Sequence, residues 1–249
     1  MSGVKGSPLV RRLAAEAAGT GLLVSVVVGS GIAAARLSPT DTGLQLLENS
    51  LTTVFGLAVL IMVFGPVSGA HFNPVVSGVA WVLGRGSADR PPGREAAAYA
   101  GVQIVGGVGG AVLANLMFDL PPVRLSTTDR IGVGQAIGEV VATAGLVLVI
   151  FALARTGRAA LSAAAVGAYI GAAYWFTSST SFANPAVTIG RMFSDTFAGI
   201  APGSAPVFLA AQLAGGLVGL LAVRYFFPEA AAAASQAVVP HPTEMSKER

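Results

Sequence analysis

Apolar positions run along the chain in long, nearly unbroken stretches, with neither the two-residue alternation of a strand nor a sustained helical stripe. Six stretches, at about 9–35, 44–64, 95–118, 132–154, 159–176 and 205–227, are long enough to cross a membrane as helices, which takes roughly 20 mostly apolar residues. Asp41, Arg90–Pro92, Pro121–Pro122, Arg155–Arg158 and Pro202–Pro206 separate them. Two further apolar segments, about 74–83 and 185–193, are too short to span. Residues 1–8 precede the first stretch. From 228 to 249 the chain turns Ala-rich and then polar, and is expected to be a disordered tail.

Composition sharpens this picture. Of 249 residues, 53% are hydrophobic and 11% charged, against about 25% charged in soluble domains. Thirty-two Gly with no collagen period suit membrane helices packed backbone to backbone. Without Cys the chain offers no disulfide, no thiol nucleophile and no Cys-based metal site, and two His, one of them in the tail, leave little for a zinc or copper site, so no metal is expected. A formal charge of +3 is too small and dispersed for nucleic-acid binding. The first stretch superficially resembles a secretory leader, but it is too long and carries Glu16. Counted around the spans, eleven of the fifteen Lys and Arg fall on the N-terminal side, and Arg36, Arg124, Arg130 and Arg191 on the other. The excess predicts that both termini are cytoplasmic, in an inner-membrane, multi-pass protein whose partner is the lipid bilayer.

The chain is also written twice. Glu16-Ala-Ala-Gly-Thr20 is echoed by Glu139-Val-Val-Ala-Thr143, Phe72-Asn73-Pro74-Val75-Val76 by Ala183-Asn184-Pro185-Ala186-Val187, and Gln103-Ile-Val-Gly-Gly107 by Gln212-Leu-Ala-Gly-Gly216, in the same order. The repeats cover about 9–118 and 132–227 within one domain, 9–227. Each holds three spans and a short segment. Three is odd, so the second repeat is inverted in the membrane relative to the first.

Asn-Pro is a helix start, with Asn as N-cap and Pro at the first helical position. Two half-helices entering from opposite faces bring their N-termini together near mid-bilayer. Each presents unsatisfied N–H groups and roughly half a positive charge. Irregular backbone at that depth survives only within protein or beside a water-filled cavity. A cavity lined by two such ends and two Asn amides binds the oxygen of a neutral molecule and repels cations.

Here the sequence resembles the major intrinsic proteins, the aquaporins and aquaglyceroporins. The resemblance covers about 9–227 and rests on Glu16 and Thr20, Ser68-Gly-Ala-His71-Phe-Asn73-Pro-Val75, Gln103, Glu139, Asn184-Pro-Ala186 and Gln212-Leu-Ala-Gly-Gly216. It implies an all-α fold of six transmembrane helices and two re-entrant half-helices in a right-handed bundle. It also implies a homotetramer with one pore per subunit, and passive conduction without cofactor or catalysis. Typical members carry Arg directly after the second Asn-Pro-Ala, where this chain has Val187. The first motif is altered too, to Asn73-Pro74-Val75. The pattern from Asn184 to Ile200 resembles a bacterial subgroup linked to arsenic handling.

The remaining residues admit alternatives. Glu16 and Glu139, carboxylates inside spans, are read as anchors for the irregular loops, with Gln103 and Gln212 beside them; His71 either holds the first loop and lines the cytoplasmic vestibule or acts as a gate or pH sensor. The competing reading of the two carboxylates is a proton site in a coupled secondary transporter; a non-conducting structural tetramer is a third possibility. For the selectivity filter the second span offers Phe55 or Thr53, the fifth Tyr174 or Ala172, and the loop Ser181 or Phe182, together with Val187. Losing the filter Arg implies a wider constriction, suited to glycerol, urea and arsenous acid. Arg191 lies one helical turn beyond Val187. Either it swings inward over Val187, or it pairs with Asp195, again four residues on; the pairing is the preferred expectation.

Overall fold

A computed structural model describes residues 7–84 and 93–228. The tail expected to be disordered, but for residue 228, and most of the short cytoplasmic N-terminus lie outside the described residues.

Eight α-helices form within those residues. They are α1 (Leu9–Leu37), α2 (Thr42–Ser68), α3 (Pro74–Leu83), α4 (Gly93–Met117), α5 (Val133–Arg155), α6 (Ser162–Phe176, entered through a 3₁₀ turn at Ala159–Leu161), α7 (Pro185–Arg191) and α8 (Ala205–Phe226). Counting the turn with α6, six are long and apolar enough to cross a membrane; α3 and α7 are the short pair. The protein is a multi-pass membrane protein, and its spans present bare apolar side chains outward, among them Leu51, Val59, Met62, Leu217 and Leu221.

The departures from the sequence reading are local. Helix α2 continues through Pro66 to Ser68 and stops where Gly69 turns left-handed (φ 91°) and donates its N–H to Gly65 O. A proline removes one ladder bond but does not force an end, and glycine at the position after the helix supplies the stop. Helix α7 is shorter than expected because Met192 and Phe193 donate to residues three back, Ile189 and Gly190, and so tighten the last turn.

The two repeats pack alike. Helix α1 lies against α2 and α4, α5 against α6 and α8, and α3 and α7 are each inserted between the two halves. Glycine makes the closest approaches possible. A Cβ on Gly106 would lie 2.2 Å from Ala17 O, and one on Gly110 2.0 Å from Gly21 O. In the second repeat the matching positions are Gly215, 2.5 Å from Val140 O, and Gly219, 2.8 Å from Ala144 O. Gly109 faces open space instead.

The altered first motif has its own accommodation. Val75 is buried and points at α8, where a Cβ on Gly216 would lie 2.5 Å from Val75 Cγ1. The extra methyls of valine therefore occupy space that glycine leaves. Gly216→Ala is expected to lower the stability of the solubilised protein by about 1–3 kcal/mol through overpacking. Adding Val75→Ala should restore most of that loss. Strict additivity of the two substitutions in a thermal melt would show that the pair is not coupled.

Candidate functional site

Each half-helix starts at its Asn. Asn73 Oδ1 accepts from Val75 N (2.9 Å), and Asn184 Oδ1 from Ala186 N (2.9 Å) and Val187 N (3.3 Å). The side-chain amides then cross over. Asn73 Nδ2 donates to Ala183 O at 2.8 Å, and Asn184 Nδ2 donates to Phe72 O at 2.7 Å. The helix starts are thus tied to each other in the centre of the fold. Each amide has two N–H groups; one is used in this exchange, and both Asn border a central cavity.

The loops leading to the two Asn are irregular in the same way. Ala70 and Phe72 before Asn73, and Ser181 and Ala183 before Asn184, all adopt positive φ between 48° and 50°. For residues with a Cβ this conformation costs on the order of 1–3 kcal/mol each and persists only when its surroundings fix it. The buried carboxylates supply that fixing. Glu16 accepts from His71 N (3.0 Å), Phe72 N (2.8 Å), Ser68 Oγ (2.6 Å) and Gln103 Nε2 (2.7 Å). Glu139 accepts from Phe182 N and Ala183 N (2.8 Å each) and Gln212 Nε2 (2.6 Å). The two glutamines also donate to hydroxyls four residues after each Asn: Gln103 to Ser77 (3.0 Å) and Gln212 to Thr188 (2.8 Å). Sequence reasoning passed over Ser77 and Thr188. The signal was present, a hydroxyl residue at the same offset from Asn in both repeats.

The cavity holds about 50 Å³ of water-accessible space. Its walls are mainly apolar. Leu23 and Val27 on α1 and Leu146 and Ile150 on α5, each pair one helical turn apart, stand at repeat-related positions, with Leu57, Ile61, Val166 and Ile170 completing the lining. In the sequence these residues are indistinguishable from core.

His71 lies toward the end of the cavity where α4 begins: its Nδ1 is 3.1 Å from Ser77 Oγ and its ring packs edge-on against Tyr99. The opposite end, where α4 finishes and α5 begins, holds most of the filter candidates. Thr53, Tyr174, Ser181, Phe182, Val187 and Arg191 all border the cavity there. Thr53 Oγ1 lies 3.2 Å from Tyr174 OH. Phe55 does not join them: it is 66% exposed on the outer face of α2. Ala172 is likewise exposed on α6. Two residues along a helix is a rotation of about 200°, so only one of each pair of alternatives can face inward. The aromatic run at the end of α6 divides on the same ground, with Tyr174 buried and Trp175 and Phe176 exposed.

Arg191 departs from the preferred expectation. It is 2% exposed, stacks over the Phe182 ring with its guanidinium carbon 3.4 Å from the centroid, and donates from Nε to Ala198 O. Asp195 is engaged elsewhere. Its carboxylate meets Arg124 at 3.1 Å and accepts from Thr127 N at 2.9 Å. The hydrogen bond donated by the Thr127 N–H holds the Asp195 carboxyl below its ordinary pKa. The loop joining the repeats takes Asp195 away from Arg191.

Comparison with known proteins agrees with this architecture. Over 222 residues the chain is 49% identical to aquaglyceroporin AqpS of Rhizobium meliloti (strain 1021), covering 89% of this chain and 92% of that one. Aquaporin NIP1-1 of Oryza sativa subsp. japonica is 33% identical over 169 residues, 66% of this chain and 56% of the rice protein. The fold is similar to that of the aquaglyceroporin from Plasmodium falciparum solved by X-ray, with a TM-score of 0.61 at 20% identity, covering 90% of this chain and 98% of that one. Residues 4–183 match the major intrinsic protein family. On these grounds the chain belongs to the major intrinsic protein family, whose members are channels for water and small neutral solutes.

Proposed function

We propose that this channel conducts glycerol, urea and arsenous acid together with water, through a pore centred on Asn73 and Asn184. The carrying observation is the reciprocal bond between the two Asn amides and the opposite loops, within a narrow and largely apolar cavity. A neutral solute entering such a cavity meets the second N–H of each Asn amide in place of water. An ion meets the desolvation cost and two positive helix ends. No cofactor or covalent step is involved, so the protein acts as a conduit and not as an enzyme.

The arrangement of Glu16 favours a channel over a proton-coupled transporter. All four of its partners are donors, and the Ser68 hydroxyl, which itself accepts from Ala70 N, directs its proton to the carboxylate. The pore assembles as a homotetramer in the inner membrane with cytoplasmic termini, a reading supported by the apolar outer faces and by the bias of basic residues. The Arg191 end is then the outer mouth.

Purified protein in liposomes tests the solute assignment. After a hyperosmotic shock with glycerol, urea or arsenous acid, the vesicles should shrink and then re-swell as solute enters. Re-swelling should be at least about tenfold faster than in protein-free liposomes, a barrier lowered by roughly 1.4 kcal/mol. Rapid shrinking with no faster re-swelling for any of the three would restrict the pore to water.

A further inference from the structure

We infer that Arg191 is the specificity-determining cation of the outer constriction, delivered from one turn beyond the position after the second Asn-Pro-Ala, and that with Tyr174 and Ser181 it selects compact neutral solutes bearing several hydroxyls. This rests on the channel reading above.

Burying a charge is costly. A guanidinium keeps its proton in any protein setting, and a buried cation without hydrogen-bonding partners is strongly disfavoured. Among the described residues Arg191 has no carboxylate partner, because Asp195 is held by Arg124 and Thr127. Its Nε is satisfied by Ala198 O and one face by the Phe182 ring. Neither terminal nitrogen makes a hydrogen bond to a described residue, although the side chain is buried and borders the cavity. Whatever occupies the cavity must therefore complete the solvation of Arg191, which makes the guanidinium part of the solute path.

Its position is fixed, not swinging. Stacking on Phe182 sets the plane of the fork, and the Ala198 carbonyl sets its reach. Phe182 is braced in turn by Phe208, with ring centroids 5.0 Å apart, and by Arg130, whose guanidinium carbon lies 5.1 Å from its centroid. Arg130 donates to Gly199 O and Phe197 O, on either side of the carbonyl that holds Arg191. The segment 197–199 thus orients both arginines.

The rest of the constriction supplies the complementary chemistry. Thr53 donates its hydroxyl proton to Asn49 O, so Tyr174 is the donor in their contact and keeps its lone pairs for the cavity. The Ser181 hydroxyl is buried and makes no hydrogen bond. Donors on Arg191 thus accompany acceptors on Tyr174 and Ser181, while Val187 contributes only apolar bulk. A solute hydroxyl, which both donates and accepts, matches this set. A cation does not.

Water and glycerol permeabilities of reconstituted wild type, Arg191→Ala and Val187→Arg, with a pH-sensitive dye trapped inside, decide the matter. Arg191→Ala is expected to shift the glycerol-to-water ratio by at least about tenfold, the low end for a lost pocket contact, and to give measurable acidification under a proton gradient. Val187→Arg, placing a second guanidinium beside the first, should suppress glycerol more than water. A folded, water-conducting Arg191→Ala channel with the wild-type ratio and no proton leak overturns the inference. If Arg191→Ala does not fold, Phe182→Leu removes the ring that orients the guanidinium while Arg191 itself stays; an unchanged ratio and no leak there overturns it equally. Wild type that conducts nothing above bare liposomes would overturn the channel reading and this inference together. Wild-type conduction with no effect of Arg191→Ala overturns this inference alone.

Discussion

Asn184→Leu lowers solute and water flux at least about tenfold, which is roughly 1.4 kcal/mol of added barrier. The leucine side chain is close in size to that of asparagine but has no polar atom. It deprives Ala186 N and Val187 N of their acceptor and Phe72 O of its donor. Each buried group left without a partner costs about 1–3 kcal/mol, so the folded yield falls as well. The flux measured per folded channel separates the two effects, and normal flux per channel would remove Asn184 from the solute path. Asn73→Leu should behave similarly, since the two residues exchange equivalent bonds across the cavity.

The second large effect concerns Glu139. Glu139→Leu withdraws the acceptor from Phe182 N, Ala183 N and Gln212 Nε2 at one stroke. The left-handed residues Ser181 and Ala183 then lose what holds them, and little folded channel is expected in detergent by size-exclusion chromatography. Glu139→Gln is milder. It keeps one acceptor oxygen for the loop amides, though its own N–H groups face donors. It should conduct at a reduced but measurable rate. A monodisperse Glu139→Gln protein with no conduction at all would speak for a proton-carrying carboxylate and against a loop anchor.

How much of this was legible in the sequence varies with the physics involved. The six spans and two short segments could be read because uninterrupted apolar length is set by bilayer thickness, independently of packing. The Asn-Pro pairs were legible because an N-cap and a first-turn proline act locally, and the repeat indicated that there were two of them on opposite courses. Choosing Thr53 over Phe55, or Tyr174 over Ala172, was beyond the sequence. Helices apolar on every side carry no stripe to give their rotation, and inward and lipid-facing residues look alike. The pore wall of Leu23, Val27, Leu146 and Ile150 was hidden for the same reason. Arg191 illustrates a different limit. Its spacing to both Val187 and Asp195 satisfies the one-turn rule, so local geometry left two outcomes open. A distant loop decided between them, because Arg124 and Thr127 engage Asp195.

The most direct test of the central claim, a passive conduit through the Asn73–Asn184 crossing, is solute flux into proteoliposomes of wild-type protein, with and without an imposed proton gradient. Glycerol entry should rise in proportion to its own gradient, run equally in either direction, and remain unchanged when the proton gradient is applied, reversed or collapsed. Entry that depends on the proton gradient, or that accumulates glycerol above its external concentration, would contradict the account.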